Sequence, residues 1–100
     1  MSRPPALTIE QVRDAIDWAL KAGSVVPSRH CLRDRMPLRN VSMADVKYCL
    51  RVGAVSADIE WDEGYADWKY RVEGVDTEYD ALVVVIAFLS RANVLVVTVF

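Results

Sequence analysis

His30 is the single histidine of the chain, and it stands in a basic run with Arg33 and Arg35 close behind it. Histidine is the one ordinary side chain that titrates near neutrality. With a guanidinium beside it, His30 could act as a general acid or base. The competing reading is a helix-start histidine held by a local hydrogen bond. A second group lies downstream: Lys69, Tyr70 and Arg71 fall in an alternating stretch, so Lys69 and Arg71 share one face and Tyr70 takes the other. An ammonium and a guanidinium together could hold a scissile phosphate and stabilise its developing charge. The alternative for that pair is cross-strand pairing with Asp58 and Glu60.

The remaining reactive residue types do not assemble a site by spacing. Cys31 and His30 are neighbours, and neighbours on a helix diverge by about 100°. Cys31 and Cys49 lack the spaced pairs of a structural zinc site. They read as reduced core thiols in a cytoplasmic protein. Trp18, Trp61 and Trp68 could stack bases, but Trp61 and Trp68 share the apolar face of their strands and so read as core. No glycine-rich phosphate loop or serine elbow occurs. No metal and no cofactor are expected.

These residues need a scaffold, and composition bounds it. The chain has 100 residues, 53% hydrophobic and 26% charged, which suits one folded α+β domain, 1–100. The net charge is −2, and an acidic balance disfavours RNA as a partner, because backbone binding needs Lys and Arg to neutralise phosphates. The charge is unevenly placed: residues 29–51 are basic and residues 58–80 acidic. The opening Met1-Ser-Arg-Pro-Pro lacks the apolar run of a signal peptide. Residues 1–6 read as a disordered tail.

Local signals place the elements. Thr8 and Gln11 form a capping box, and Leu7, Val12, Ala15, Ile16, Ala19 and Leu20 make one helical stripe over 7–23. Gly23 is expected to end that helix as a left-handed cap. Val25-Val26-Pro27 is extended. Ser28 caps a second helix to about Met36, with a break expected near Pro37. Ser42 and Asp45 cap a third helix, which buries Val46, Cys49 and Leu50 and closes at Gly53. From Ala54 the period becomes two. A four-residue loop from Asp62 to Tyr65 would pair Ile59 with Trp68, Ala57 with Tyr70, Asp58 with Lys69 and Ser56 with Arg71. Glu60 opposite Asp67 counts against that register.

Ala81–Phe100 is almost wholly apolar, with Arg91 its only charge. A membrane span needs roughly 20 apolar residues, but Ser90-Arg91-Ala92-Asn93 would sit at mid-bilayer, where a charge costs about 2.5 kcal/mol or more. Two β-branched runs about a polar turn read as a buried hairpin, and no membrane is expected. Because neither run alternates, both faces should be covered, with the first helix as part of the cover. The order predicts two to three N-terminal helices and then a four-stranded antiparallel β-meander, the last strand leaving a free edge.

One segment resembles a family. Arg35-Met-Pro-Leu-Arg39-Asn-Val41-Ser42-Met-Ala-Asp45-Val46, then Leu50-x-x-Gly53, is similar to the N-terminal half of the bacterial domain of unknown function 4258. The closing Val-Val-Thr98-Val-Phe resembles its last strand. The likeness covers about 28–100 and leaves the first helix as an extension. In the family, His usually precedes the Arg of Arg-Met by four residues. Here His30 precedes Arg35 by five, about 140° apart on an ideal helix, so His30 meets Asp34 or Arg33 unless a local bulge restores the pairing. Asn40 replaces the family's usual Gly. The family looks like a relative of the RelE/ParE toxin fold. That implies a toxin-like role, RNA-cleaving or target-poisoning, in a toxin–antitoxin-type system. The partner would be a cognate antitoxin, and His30, Arg33, Arg35, Lys69 and Arg71 would be the catalytic set. Fold membership does not transfer activity. The alternative expectation is a non-catalytic interaction module that dimerises or pairs through its sheet.

Overall fold

Two capping boxes set the helical frame. In the computed structural model, which describes residues 3–100, Thr8 Oγ1 accepts from Gln11 N–H at 3.1 Å and Gln11 Oε1 accepts from Thr8 N–H at 2.9 Å. Helix α1, Ile9–Ala22, follows and buries Val12, Ile16 and Ala19. Gly23 does not take the expected left-handed cap; its φ is −110°. Glycine is needed there for a different reason. A Cβ at Gly23 would stand 1.8 Å from the carbonyl oxygen of Ala92, so the chain passes against the turn at Arg91–Ala92.

Ser28 caps the next helical stretch by accepting from Cys31 N–H at 3.1 Å. That stretch is not a plain α-helix. Cys31–Arg35 is π-helical, with Met36 N–H donating to Cys31 O, and it runs into α2, Met36–Arg39. Pro37 supplies a cause: in an α register its ring would crowd the carbonyl four residues back, and it has no N–H to give. Asn40 then ends the helix at φ 53°, the left-handed region where asparagine is among the few tolerated side chains. This explains how Asn stands where the family usually has Gly. Ser42 and Asp45 form the second capping box, and α3, Met43–Val52, buries Val46, Cys49 and Leu50.

The strands are β1, Ser24–Pro27; β2, Ala54–Asp62; β3, Asp67–Val75; β4, Ala81–Ser90; and β5, Asn93–Val99. They form one five-stranded sheet in the order β1-β5-β4-β3-β2. The expected four-stranded meander is present within it, but β1 adds a parallel edge against β5, from Ser24↔Asn93 to Pro27↔Val96. The sheet is therefore mixed. The last strand does not leave a free edge along its first half; β2 is the long outer strand. The β4–β5 hairpin is central, as its composition predicts.

The β2–β3 register differs from the expected one. Ile59 faces Tyr70, Glu60 faces Lys69, Trp61 faces Trp68 and Asp62 faces Asp67. The loop is 63–66, one residue later than expected. The observed register puts two indoles in contact and sets Glu60 against Lys69 instead of Asp67, both favourable cross-strand pairs. The difference is absorbed by a bulge between Val55 and Ile59, within which Asp58 N–H donates to Ser56 Oγ at 3.0 Å.

The helices occupy one face of the sheet only. Val12, Ile16, Cys31, Met36, Cys49 and Leu50 meet Tyr70, Val72, Leu82, Val84, Ile86, Val94, Val96 and Val99 in a single core. The other face carries Lys69, Arg71 and Glu73 from β3 and Val83, Val85 and Ala87 from β4, on the alternate positions of those strands. Val85 and Ala87 lie outside the helix-facing core. No helix covers the second face of Ala81–Phe100, since α1 joins the same layer as α3; Val85 and Ala87 are nonetheless buried on it, and Leu89 and Phe100 are exposed. No helix of the described residues is long and apolar enough to cross a membrane.

The segment read as a tail makes specific contacts over residues 3–6. Arg3 pairs with Glu63 at 2.9 Å, and Trp68 Nε1–H donates to Pro4 O at 2.7 Å. Met1 and Ser2 lie outside the described residues.

Candidate functional site

The π-helical turn brings the histidine question to a definite geometry. A bulge capable of returning Arg35 toward His30 is present. The side chains nevertheless go elsewhere. His30 Nδ1 and Asp34 Oδ2 lie 3.0 Å apart, with both side chains about two-thirds exposed. Arg35 Nε–H donates to Val99 O at 3.3 Å, on the stretch of β5 that β1 does not reach. Arg33 is exposed. Among the described residues, no hydrogen bond or ion pair joins His30 to Arg33 or Arg35.

Lys69 and Arg71 share the open sheet face, as alternation predicts, but differ in state. Lys69 Nζ lies 3.3 Å from Asp62 Oδ2 and 3.9 Å from Glu60 Oε1. Its charge is thus answered by β2. Tyr65 N–H donates to Asp62 Oδ1 at 3.0 Å, and this bond, helped by Lys69, holds the Asp62 carboxyl below its usual range. Arg71 faces the bulge. Its guanidinium sits 5.1 Å from the centre of the Phe100 ring, a cation–π distance, and it has no carboxylate partner among the described residues. A cavity of about 300 Å³ lies here, lined by Asp58, Glu60, Lys69, Arg71 and Val85 among others. Two carboxylates offset its two cations, which weakens it as a phosphate cradle.

The five residues expected to form a catalytic set therefore divide. Lys69 and Arg71 adjoin one another on the open face. Arg35 reaches the end of β5 from the helix layer. His30 and Arg33 stand exposed on the helical turn. Cys31 and Cys49 are free and fully buried. Burial pushes the Cys49 thiol up to about 11 and raises that of Cys31 as well, against the opposing effect of Arg35. Neither is poised as a nucleophile.

Trp61 and Trp68, expected as core, are both half-buried, and Trp68 packs against the core; sequence reasoning did not single out Val83, Val85, Ala87 or Phe100 individually. An alternating strand would have marked its outward side; β4 is apolar on both. The only signal in the sequence was the excess of apolar residues over helices able to cover them.

A family model, Domain of unknown function (DUF4258), matches residues 28–100. This chain belongs to the DUF4258 family. No curated protein and no solved structure matches it. The DUF4258 region begins at Ser28, the residue that caps the π-helical stretch, and it contains α2, α3 and β2–β5. Helix α1 and strand β1 lie outside it. Both are docked on it: α1 through Val12, Ile16 and Ala19 in the shared core, and β1 along β5 of the DUF4258 sheet.

Proposed function

We propose that this DUF4258 protein is a non-catalytic interaction module that pairs through the open face of its sheet. The observation that carries the reading is that face itself. Val83, Val85 and Ala87 run along β4 on the side opposite the helices; Val85 and Ala87 are themselves buried, at 9% and 8% exposure, while Leu89 and Phe100, 61% and 41% exposed, leave the apolar strip open at its two ends. Exposed apolar surface on a face that no helix covers marks protein contact sites. The dispersal of His30, Arg33 and Arg35 away from Lys69 and Arg71 weighs against a single hydrolytic centre. The test is association. Leu89→Lys places a charge on the exposed part of the strip, where the leucine is 61% accessible, without entering the core. It should abolish pairing, with itself or with a captured partner, while the thermal midpoint stays close to that of the parent. A chain that is monomeric and without partners in both forms would sink the reading.

A second reading is favoured by one observation, the half-buried Arg71 without a carboxylate partner. A RelE/ParE-like relationship and a toxin-like role, cleaving RNA or poisoning a target, would give that guanidinium an anion to hold. Growth arrest on induced expression, relieved by Arg71→Ala, would support it. Arrest that survives His30→Ala would separate target poisoning from histidine-dependent cleavage.

A further inference from the structure

The chain's first described residues contact the β2–β3 hairpin in a pattern that does not depend on belonging to the same chain. The guanidinium of Arg3 lies 5.2 Å from the ring centre of Trp61 and 5.9 Å from that of Trp68, and pairs with Glu63 at 2.9 Å. The indole N–H of Trp68 donates to the Pro4 carbonyl at 2.7 Å. Leu7 N–H donates to the Tyr70 hydroxyl at 2.9 Å. Pro4 and Pro5 fix their own φ and bias the residue before each towards extended backbone. The segment thus enters in the form that aromatic grooves take up from proline-rich ligands at low entropic cost.

The groove is built for those features. Trp61 and Trp68 meet edge-on, with ring centres 5.2 Å apart and planes at 74°. That corner presents two indole faces to one cation, with the Glu63 carboxylate beside them. Every groove residue lies within the region matched by the family, and every arm residue lies outside it. Its outer end, Arg3–Pro5, is held by exposed contacts: the Arg3 and Glu63 side chains are 53% and 80% accessible, and such pairs contribute little. That end is therefore displaceable, while Leu7 stays anchored by its part-buried bond to Tyr70 and Ala6 by packing against the core.

We propose that the Trp61–Trp68 end of the hairpin is a docking groove for an extended Arg-Pro-Pro segment of a partner protein, and that Arg3–Pro5 fills it in cis. This site is separate from the open sheet face and stands whether or not that face pairs.

The experiment uses the full-length chain, ¹⁵N-labelled, titrated with acetyl-Arg-Pro-Pro-Ala-Leu-amide, with the indole N–H signals of Trp61 and Trp68 as the readout. In the parent the tethered arm competes at an effective concentration on the order of millimolar. Arg3→Ala removes the arm's ion pair and its cation–π contacts, and so weakens this competition, without touching the groove. The expected result is saturable movement of both indole signals, with apparent affinity about tenfold or more tighter for Arg3→Ala than for the parent. Binding should be lost when Glu63→Lys or Trp68→Phe is added to Arg3→Ala; Glu63 is exposed, so its replacement leaves the fold intact. Absence of saturable movement in Arg3→Ala would overturn the proposal, as would equal binding by the Glu63→Lys variant. A dimer of the parent that Arg3→Ala dissolves would also overturn it, since the occupant would then be the arm of a second copy.

Discussion

Asp45 and Thr77 join α3 to the loop between β3 and β4: Asp45 Oδ1 accepts both the Thr77 N–H, at 3.0 Å, and the Thr77 hydroxyl. The other carboxylate oxygen accepts from the Ser42 N–H at 2.9 Å. One side chain thus completes a helix cap and anchors a loop 32 residues away. These donors, led by the Ser42 N–H, hold the Asp45 carboxyl far below the usual carboxylate range. Asp45→Ala should cost about 1–2 kcal/mol, the loss of a cap residue and its bonds. Urea denaturation measures it.

The sign of the pH dependence follows from the same bonds. The folded-state pKa of Asp45 is depressed, so the folded state binds the proton less readily than the unfolded chain. The stabilisation is fully present above the unfolded value, about 3.9. It is lost as pH falls from there through the folded pKa. The difference in urea midpoint between parent and Asp45→Ala should therefore be constant from pH 7 to about 5 and shrink below about 4. A gap that widens on acidification would contradict this assignment.

Gly53 and Gly74 bring the α3–β2 junction hard against β3. A Cβ on Gly74 would stand 2.9 Å from the Gly53 Cα and 3.2 Å from Cys49 Sγ. The first neighbour is backbone and cannot yield without moving the α3–β2 junction. Gly74→Ala should destabilise by about 1–3 kcal/mol, the usual range for overpacking. Adding Cys49→Ala relieves only the sulfur contact. A double-mutant cycle should show a small favourable coupling with most of the loss retained.

What could be read in advance, and what could not, follows the range of each interaction. Ser42 with Asp45 and Thr8 with Gln11 are three residues apart, so a helix start writes itself locally. The β4–β5 hairpin is equally local, two apolar runs about a polar turn. The parallel pairing of Val25 with Val94 has no local signature, because β1 has four residues, ends in proline and finds its partner at the far end of the chain. The bulge opposite Arg71 was hidden for a related reason. Alternation fixes which face a residue takes, and a shift of two residues preserves every face. The candidate site suffered most. His30–Asp34 is an i,i+4 contact and was among the expected options. Arg35 with Val99 and Arg71 with Phe100 exist only after the sheet is assembled.

His30 tests the catalytic expectation from the stability side. Its one bond is to Asp34 on an exposed helical surface, and such pairs contribute about 0.2–0.5 kcal/mol. His30→Ala should shift the urea midpoint barely at all. Any cellular effect of the chain should survive it, because among the described residues neither Arg33 nor Arg35 joins the imidazole, whose one partner is the exposed Asp34. A His30→Ala chain that folds normally but loses a measurable activity would show that a ligand recruits the histidine.

Cys31 and Cys49 should be silent towards thiol reagents in the native state. Both have essentially no solvent exposure, and Cys49 Sγ lies 3.4 Å from the Leu82 carbonyl, to which its S–H donates. Burial disfavours the thiolate, so Cys49 titrates only near 11. At pH 8 an unperturbed cysteine with pKa about 8.5 has a substantial thiolate fraction; these two do not. Labelling with a disulfide reagent at pH 8 should therefore proceed only through opening of the core. It should accelerate with urea in step with unfolding, and both thiols should react together when opening is global. Fast labelling of Cys31 alone would locate an independent opening at the π-helical turn, where the helix register is already interrupted.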